Sequence, residues 1–370
     1  MTEITAAAAT SQEPGEDRPL RAGALLTTCH PRHWTQTQVF DYTTEMALAA
    51  EDLGYDCVWV LEHHFTPYGL CPNTFSMAGY LLGRTSRIRV GSAIAVAPLE
   101  HPVRIAEQVC LLDQLSHGRF IAGFGRGHFP KDFEAFGIDP AESAIRLQEW
   151  VAILKQACCK RTIGWDSALI KLPDAVPFPE PFTKPHPPIY TVAGSPSTVE
   201  WAASLGLPML MSITVQLETL RSSVELYNET ARAFGHDPSH VEHVVAIIAH
   251  VADSAETAYD ELIDNLVWWN QEGRDAALTI DMLRQLPNYR YHYTEIQAAI
   301  HRGDRDLNAG VRRMMDRSAV GTPDQCIERL RTIREATGIR NFAFGFEGVL
   351  DRDRILDTMR RFASEVLPYA

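Results

Sequence analysis

The chain has 370 residues, 45% of them hydrophobic and 22% charged, with 23 Gly and 22 Pro. That composition is ordinary for a globular protein and excludes a disordered chain, a collagen and a small disulfide scaffold. The net charge of −13, from 34 Lys and Arg against 47 Asp and Glu, comes without any run of basic residues, so neither nucleic acid nor an anionic membrane is an expected partner.

The first residues, MTEITAAAATSQEPGEDRPL, have no basic start followed by an apolar stretch, and no segment reaches the roughly 18 apolar residues that span a bilayer. We expect a cytoplasmic protein with a polar N-terminal tail over residues 1–21 and one domain over 22–370. The seven cysteines, an odd number with no C-x-x-C spacing, read as reduced thiols, several of them in the core, and not as a disulfide framework or a zinc knuckle.

From residue 22 short apolar runs alternate with amphipathic stretches. Ala22 to Cys29 reads as a strand, Phe40 to Leu53 as a helix closed by Gly54, and Cys57 to Leu61 (CVWVL) as a second strand. Phe75 to Arg84 is a helix, Ile88 to Ala97 a strand, Val103 to Leu115 a helix and Phe120 to Phe124 the fourth strand. Residues 128–187 then interrupt the rhythm with a polar loop, a helix over Ala141 to Ala157 and a proline-rich connector.

The alternation resumes with strand Ile189 to Ala193, helix Thr198 to Leu205, strand Met209 to Ile213, helix Glu218 to Phe234 and strand Val244 to Val251. Ala255 to Trp269 is helical, residues 271–318 are polar and broken, and the chain closes with helix Pro323 to Thr337, strand Phe342 to Phe346 and helix Arg352 to Leu367. Eight strands separated by helices predict an α/β fold, a (β/α)8 TIM-like barrel with insertions after strands 4 and 7. A doubly wound sheet is the rival. It usually carries a glycine-rich fingerprint after its first strand, where this chain has CHPRHW.

Chemistry in such a barrel sits at the C-terminal ends of the strands. Strand two ends in Glu62, His63 and His64, strand four in Gly125, Arg126, Gly127 and His128, strand five in Gly194, Ser195, Pro196, Ser197 and Thr198, and strand eight in Glu347. Adjacent histidines on a continuing strand point to opposite faces, which speaks against a shared metal ion. His63 is a candidate general base or oxyanion donor, with a strand-capping role as the plain alternative. Ser195 fits the N-cap of the next helix with Pro196 as its first residue. The functional version of the same residues is an anion site, to which Arg126 could add a charge.

Several segments carry a likeness to a known family: LLTTCHPRHWTQTQVF, VWVLEHHFTPYGL, VGSAIAVAPLEHPVRIAEQVCLLDQLSHGRF, GRGHFPKDFEAFG, TVAGSPSTVEWAASLGLPM, VGTPDQCIERL and the late GFEG. In order from about Gly23 to Pro368, they resemble the bacterial luciferase family of flavin-dependent monooxygenases, most of all its alkanal-monooxygenase α chains. The resemblance implies a TIM-like barrel and a dimer. It also implies reduced FMN (FMNH2) delivered by a separate flavin reductase, molecular oxygen (O2), and a C4a-peroxyflavin that oxygenates an aldehyde, ketone or aromatic substrate.

By the same resemblance, His63 is the catalytic histidine and Asp132 an acidic residue near the flavin. Arg126, Ser195 and Thr198 bind its phosphate, and Ala93-Ile94 is a non-proline cis peptide beneath its ring. Residues 271–318 correspond to a mobile lid. Two positions depart from the pattern: Gly125 stands where light-emitting α chains have a reactive cysteine, and Gly194 replaces a glutamate beside the phosphate. A deazaflavin-dependent hydride transfer and a non-catalytic flavin-binding barrel are the alternative functions.

Overall fold

A computed structural model describes residues 20–30, 33–212, 216–277, 280–286 and 306–370. Eight parallel strands close on themselves: β1 (Arg21–Leu26), β2 (Cys57–Val60), β3 (Arg89–Ser92), β4 (Phe120–Gly125), β5 (Ile189–Val192), β6 (Met209–Ser212), β7 (Val244–Val251) and β8 (Asn341–Gly345). Each pairs with the next, and β8 returns to β1 through the register Arg21↔Asn341 to Leu25↔Gly345. The predicted barrel is therefore the fold. Because helices cover its outer wall and side chains fill its inside, strands such as CVWV and FIAGFG are buried on both faces and read as continuous apolar runs.

The barrel interior is organised around Trp59, whose ring meets Tyr190 edge-on at 5.7 Å amid Cys57, Ile121, Leu210, Val244 and Ala343. Glycines on the neighbouring strands make room for the indole. A Cβ at Gly91 would lie 2.5 Å from its six-membered ring, and one at Gly23 would lie 2.7 Å from Nε1. Small residues on the flanking strands thus admit one large residue between them, so that the layer fills without strain.

The helices are α1 (Gln36–Asp52), α2 (Thr74–Arg84), α3 (Pro102–Ser116), α4 (Pro130–Phe136), α5 (Ser143–Lys160), α6 (Pro196–Ser204), α7 (Leu217–Ala233), α8 (Ala255–Ala276), a short turn of helix at Ile280–Gln285, α9 (Leu307–Arg317), α10 (Pro323–Thr337) and α11 (Arg352–Arg361). α1 starts four residues before the apolar pattern does, because Thr35 and Gln38 form a reciprocal capping box that a polar first turn conceals from periodicity. Gly54 follows α1 with φ +81°, the left-handed conformation expected of a glycine past a helix end.

Four expectations are corrected. The tail does not reach residue 21: Arg21 belongs to β1, its N–H donating to Arg340 O at 2.8 Å. The single strand over 88–97 is broken, since β3 stops at Ser92, a cis Ala93-Ile94 peptide follows, and Ala95–Val96 pairs with β4 alone. The connector after β4 contains α4 and an antiparallel hairpin, Ile163–Asp166 with Lys171–Ala175, hidden by its exposure and its prolines. Residues 271–318 are not uniformly broken: α8 runs on to Ala276 and α9 is capped by Asp306, after which Ala319–Gly321 pairs in parallel with the end of β7. Residues 278–279 and 287–305 of the expected lid lie outside the described residues.

Candidate active site

The chain leaves β2 at Val60, so Glu62, His63 and His64 sit on a loop and the alternation of a strand no longer separates them. His63 is anchored by its own N–H, which donates to Cys71 O at 3.0 Å. Its ring packs against Tyr68 at 4.6 Å and Phe129 at 5.8 Å, and its buried Nδ1 has no hydrogen-bond partner among the described residues. Burial, then the charges of His128 and His64, lower its pKa to about 3. It is neutral throughout the physiological range, the form able to accept a proton.

His64 behaves differently. Burial alone would lower its pKa, but the carboxylate of Glu62, 3.5 Å from Nε2, and the charge of Asp132 raise it. Glu62 also accepts from the N–H of Val96 at 3.2 Å and from the N–H and hydroxyl of Thr74 at 3.4 Å. One carboxylate therefore ties the β2 loop to the segment after the cis peptide and to the start of α2. Sequence reasoning passed over Glu62 as a site residue, although it is the first letter of the Glu-His-His run.

Asp132 lies in the first turn of α4 and is only 4% exposed, with Oδ1 unpartnered among the described residues. Burial lifts its carboxyl to about 6, with His64 lowering it and Glu62 raising it further. The structure thus brings His63, His64, Glu62 and the buried Asp132 into one electrostatically linked cluster. Among the described residues, no group of three or more His, Cys, Asp or Glu side chains is arranged to hold a metal ion.

Arg126 and the Ser195 group occupy neighbouring strand ends, because Phe124 of β4 pairs with Thr191 of β5. Ser195 is the N-cap of α6 and Pro196 its first residue, as the sequence indicates, yet the Ser195 hydroxyl does not cap the backbone. It bonds instead to the hydroxyls of Thr198 at 2.9 Å and Ser197 at 3.2 Å. The result is a cluster of hydroxyls at a helix N-terminus of nine residues, where the backbone dipole favours an anion.

Ile94 packs against the end of β4. A Cβ at Gly125 would fall 2.6 Å from its Cδ1, so the glycine that departs from the light-emitting pattern is occupied space, filled by the residue that follows the cis bond. On the opposite side, the buried Glu347 carboxylate accepts from the N–H and hydroxyl of Thr27, each at 2.5 Å, and from Cys29 N–H at 3.1 Å. It locks the end of β8 to the end of β1.

A family model described as luciferase-like monooxygenase matches residues 20–341. This chain belongs to that family. It is 35% identical to the alkanal monooxygenase α chain of the Kryptophanaron alfredi symbiont over 350 residues, covering 95% of this chain and 98% of the relative. With the α chain of Aliivibrio fischeri it shares 38% over 317 residues, 86% of this chain and 89% of that one. The family and these relatives are monooxygenases, and this luciferase-like chain is an enzyme.

Solved structures repeat the fold. A monooxygenase from Streptomyces bottropensis superposes with a TM-score of 0.80 at 24% identity, over 95% of this chain and all of that one. The oxygenating constituent of 3,6-diketocamphane monooxygenase from Pseudomonas putida, in complex with FMN, gives 0.76 at 20% identity over 95% and 99% of the two chains. An F420-dependent secondary alcohol dehydrogenase gives 0.74 at 18% over 95% and 100%. No described helix of this luciferase-like protein is long and apolar enough to cross a membrane.

Proposed function

We propose that the protein is a two-component FMNH2-dependent monooxygenase that transfers one oxygen atom from O2 to a small organic substrate, with a separate reductase supplying the reduced flavin. The observation that carries this reading is the pair of neighbouring strand ends, Arg126 beside a hydroxyl cluster whose Ser195 is turned away from its own helix backbone. Helix N–H groups, hydroxyls and a guanidinium together suit a phosphate.

In this reading Arg126, Ser195 and Thr198 would hold the FMN phosphate, and Ala93 and Ile94 would support its ring. The bound reduced flavin supplies two electrons and the place where oxygen is activated. His63, neutral and enclosed by Tyr68 and Phe129, offers a hydrogen bond to the reacting oxygen in a setting shielded from water. Asp132, with its carboxyl near 6, exchanges a proton close to neutrality and sets the charge around His64.

The test compares reduced FMN with reduced riboflavin in binding and in single turnover with oxygen. FMN should bind more tightly, Arg126→Ala should weaken it by about 1.5–3 kcal/mol, the scale of a charge-assisted hydrogen bond, and oxygen should be consumed. Equal affinity for the two flavins would remove the phosphate assignment. Hydride transfer without oxygen uptake would favour the deazaflavin alternative.

A further inference from the structure

Thr28, just past the end of β1, is wholly buried and has φ +54°. That is the left-handed region, where a β-branched side chain is an outlier and persists only if its surroundings over-determine it. Here they do so on both sides. Thr27 N–H and hydroxyl each donate to one oxygen of the buried Glu347 carboxylate at 2.5 Å, and Cys29 N–H donates to the other at 3.1 Å. One carboxylate at the end of β8 thus grips the chain immediately before and immediately after Thr28.

The partners of Thr28 itself lie in a different loop. Its carbonyl oxygen accepts from Leu70 N–H at 3.1 Å and its Oγ1 from Cys71 N–H at 3.0 Å, while its hydroxyl proton goes to Thr27 O at 2.5 Å. His30 N–H adds a third tie, to Pro67 O at 3.1 Å. These partners belong to the loop after β2 that carries His63: Cys71 O accepts the His63 N–H at 3.0 Å, and Gly69 lies against the imidazole. Glycine would take the left-handed conformation without penalty. What threonine contributes in its place is the hydroxyl, and that hydroxyl binds the residue that holds His63.

We infer that Glu347 and Thr28 are positioning residues for His63: Glu347 fixes the end of β1, and Thr28 transmits that fixed geometry to the loop that carries and covers the imidazole. Both act through the loop and not on the reacting atoms. That His63 is the group to be positioned rests on the monooxygenase reading; the clamp itself does not.

The experiment uses the full chain, first without flavin. Thr28→Gly keeps the left-handed backbone and removes the hydroxyl, whereas Thr28→Ser keeps the hydroxyl. By hydrogen–deuterium exchange, the amides of Glu62 to Cys71 should exchange about 10-fold or more faster in Thr28→Gly, the value of one net hydrogen bond, and at the unaltered rate in Thr28→Ser. Those of β7 should not change in either variant. Unaltered exchange from Glu62 to Cys71 in Thr28→Gly overturns the inference, as does equal acceleration in β7 or in Thr28→Ser. Should Thr28→Gly not fold, Glu347→Gln is read in the same way, since its NH2 sets a donor against a donor of Thr27 or Cys29.

The reaction is tested separately. FMN affinity should be unchanged in Thr28→Gly, while its complex with reduced FMN, mixed with oxygen, should yield oxidised FMN and hydrogen peroxide about 10-fold or more faster than the unaltered protein, because the hydrogen bond from His63 is displaced. A loosened loop with unaltered peroxide release overturns the assignment of the pair to the reaction and leaves only a structural clamp. Failure of FMN to bind removes the flavin reading and leaves the exchange result standing.

Discussion

A Cβ atom on Gly69 would stand 2.7 Å from Nδ1 of His63 and 3.0 Å from its Cγ: the loop after β2 folds back until its own backbone covers the imidazole. The same loop is held from the other side, where Leu70 N–H donates to Thr28 O at 3.1 Å and Cys71 N–H to Thr28 Oγ1 at 3.0 Å. Gly69→Ala should therefore displace the His63 ring and leave the barrel intact. Misplacing a reacting group by about 1 Å costs on the order of 100-fold in rate. We expect product formation to fall by about 10- to 100-fold with the circular dichroism spectrum and flavin phosphate recognition unchanged. A variant with undiminished turnover would show that the loop can yield and that His63 needs no such support.

Asp132 and His63 make stability depend on pH with opposite signs. The Asp132 carboxyl titrates at about 6 in the folded chain against a reference of 3.8, so between those values the folded state keeps a proton that the unfolded state has released. Its contribution to stability is present below 3.8 and is lost as pH rises through about 6. For His63 the folded value of about 3 lies below the reference of 6.5, so the unfolded chain binds the proton first and stability is lost as pH falls from 6.5 towards 3. Asp132→Asn removes only the first effect. Its melting temperature should exceed that of the unaltered protein near pH 8 and approach it near pH 4, in paired thermal scans; an equal shift at both pH values would show that charge burial is not the cause.

Thiol accessibility gives a direct check of the packing. Of the seven cysteines, Cys159 is exposed and the other six are buried, with Cys110 and Cys158 in contact at 3.7 Å between α3 and α5. An aromatic disulfide reagent should react rapidly with one thiol in the folded protein and with seven in denaturant, and Cys159→Ser should abolish the rapid phase. Two or more fast thiols in the native protein would contradict the buried placement of Cys110 and Cys158.

The barrel itself was legible in the amino-acid sequence because its cause is local and repeated. Each strand buried on both faces must be a short apolar run, each covering helix must show one apolar stripe, and both patterns survive in one dimension. The strand ends followed from the same count, which is why His63, Arg126, Ser195 and Glu347 could be marked as rim residues before any coordinates. What periodicity could not convey was a polar start such as Thr35 to Gln38, or a hairpin among prolines at 163–175, where little is buried to leave a pattern.

The chemistry of the rim was decided by tertiary structure. His63 and His64 are adjacent in sequence and belong to one residue type, yet burial lowers one pKa to about 3 while Glu62 raises the other. Glu62 joins Val96 and Thr74, Glu347 joins Thr27 and Cys29, and Asn265 is fixed by the carbonyls of Glu347 and Gly348. These contacts join strand ends to one another or to the helices α2 and α8 that pack around them. Desolvation and hydrogen-bond geometry exist only after the barrel has closed, so no pattern along the chain encodes which polar group is satisfied and which is left open to a ligand.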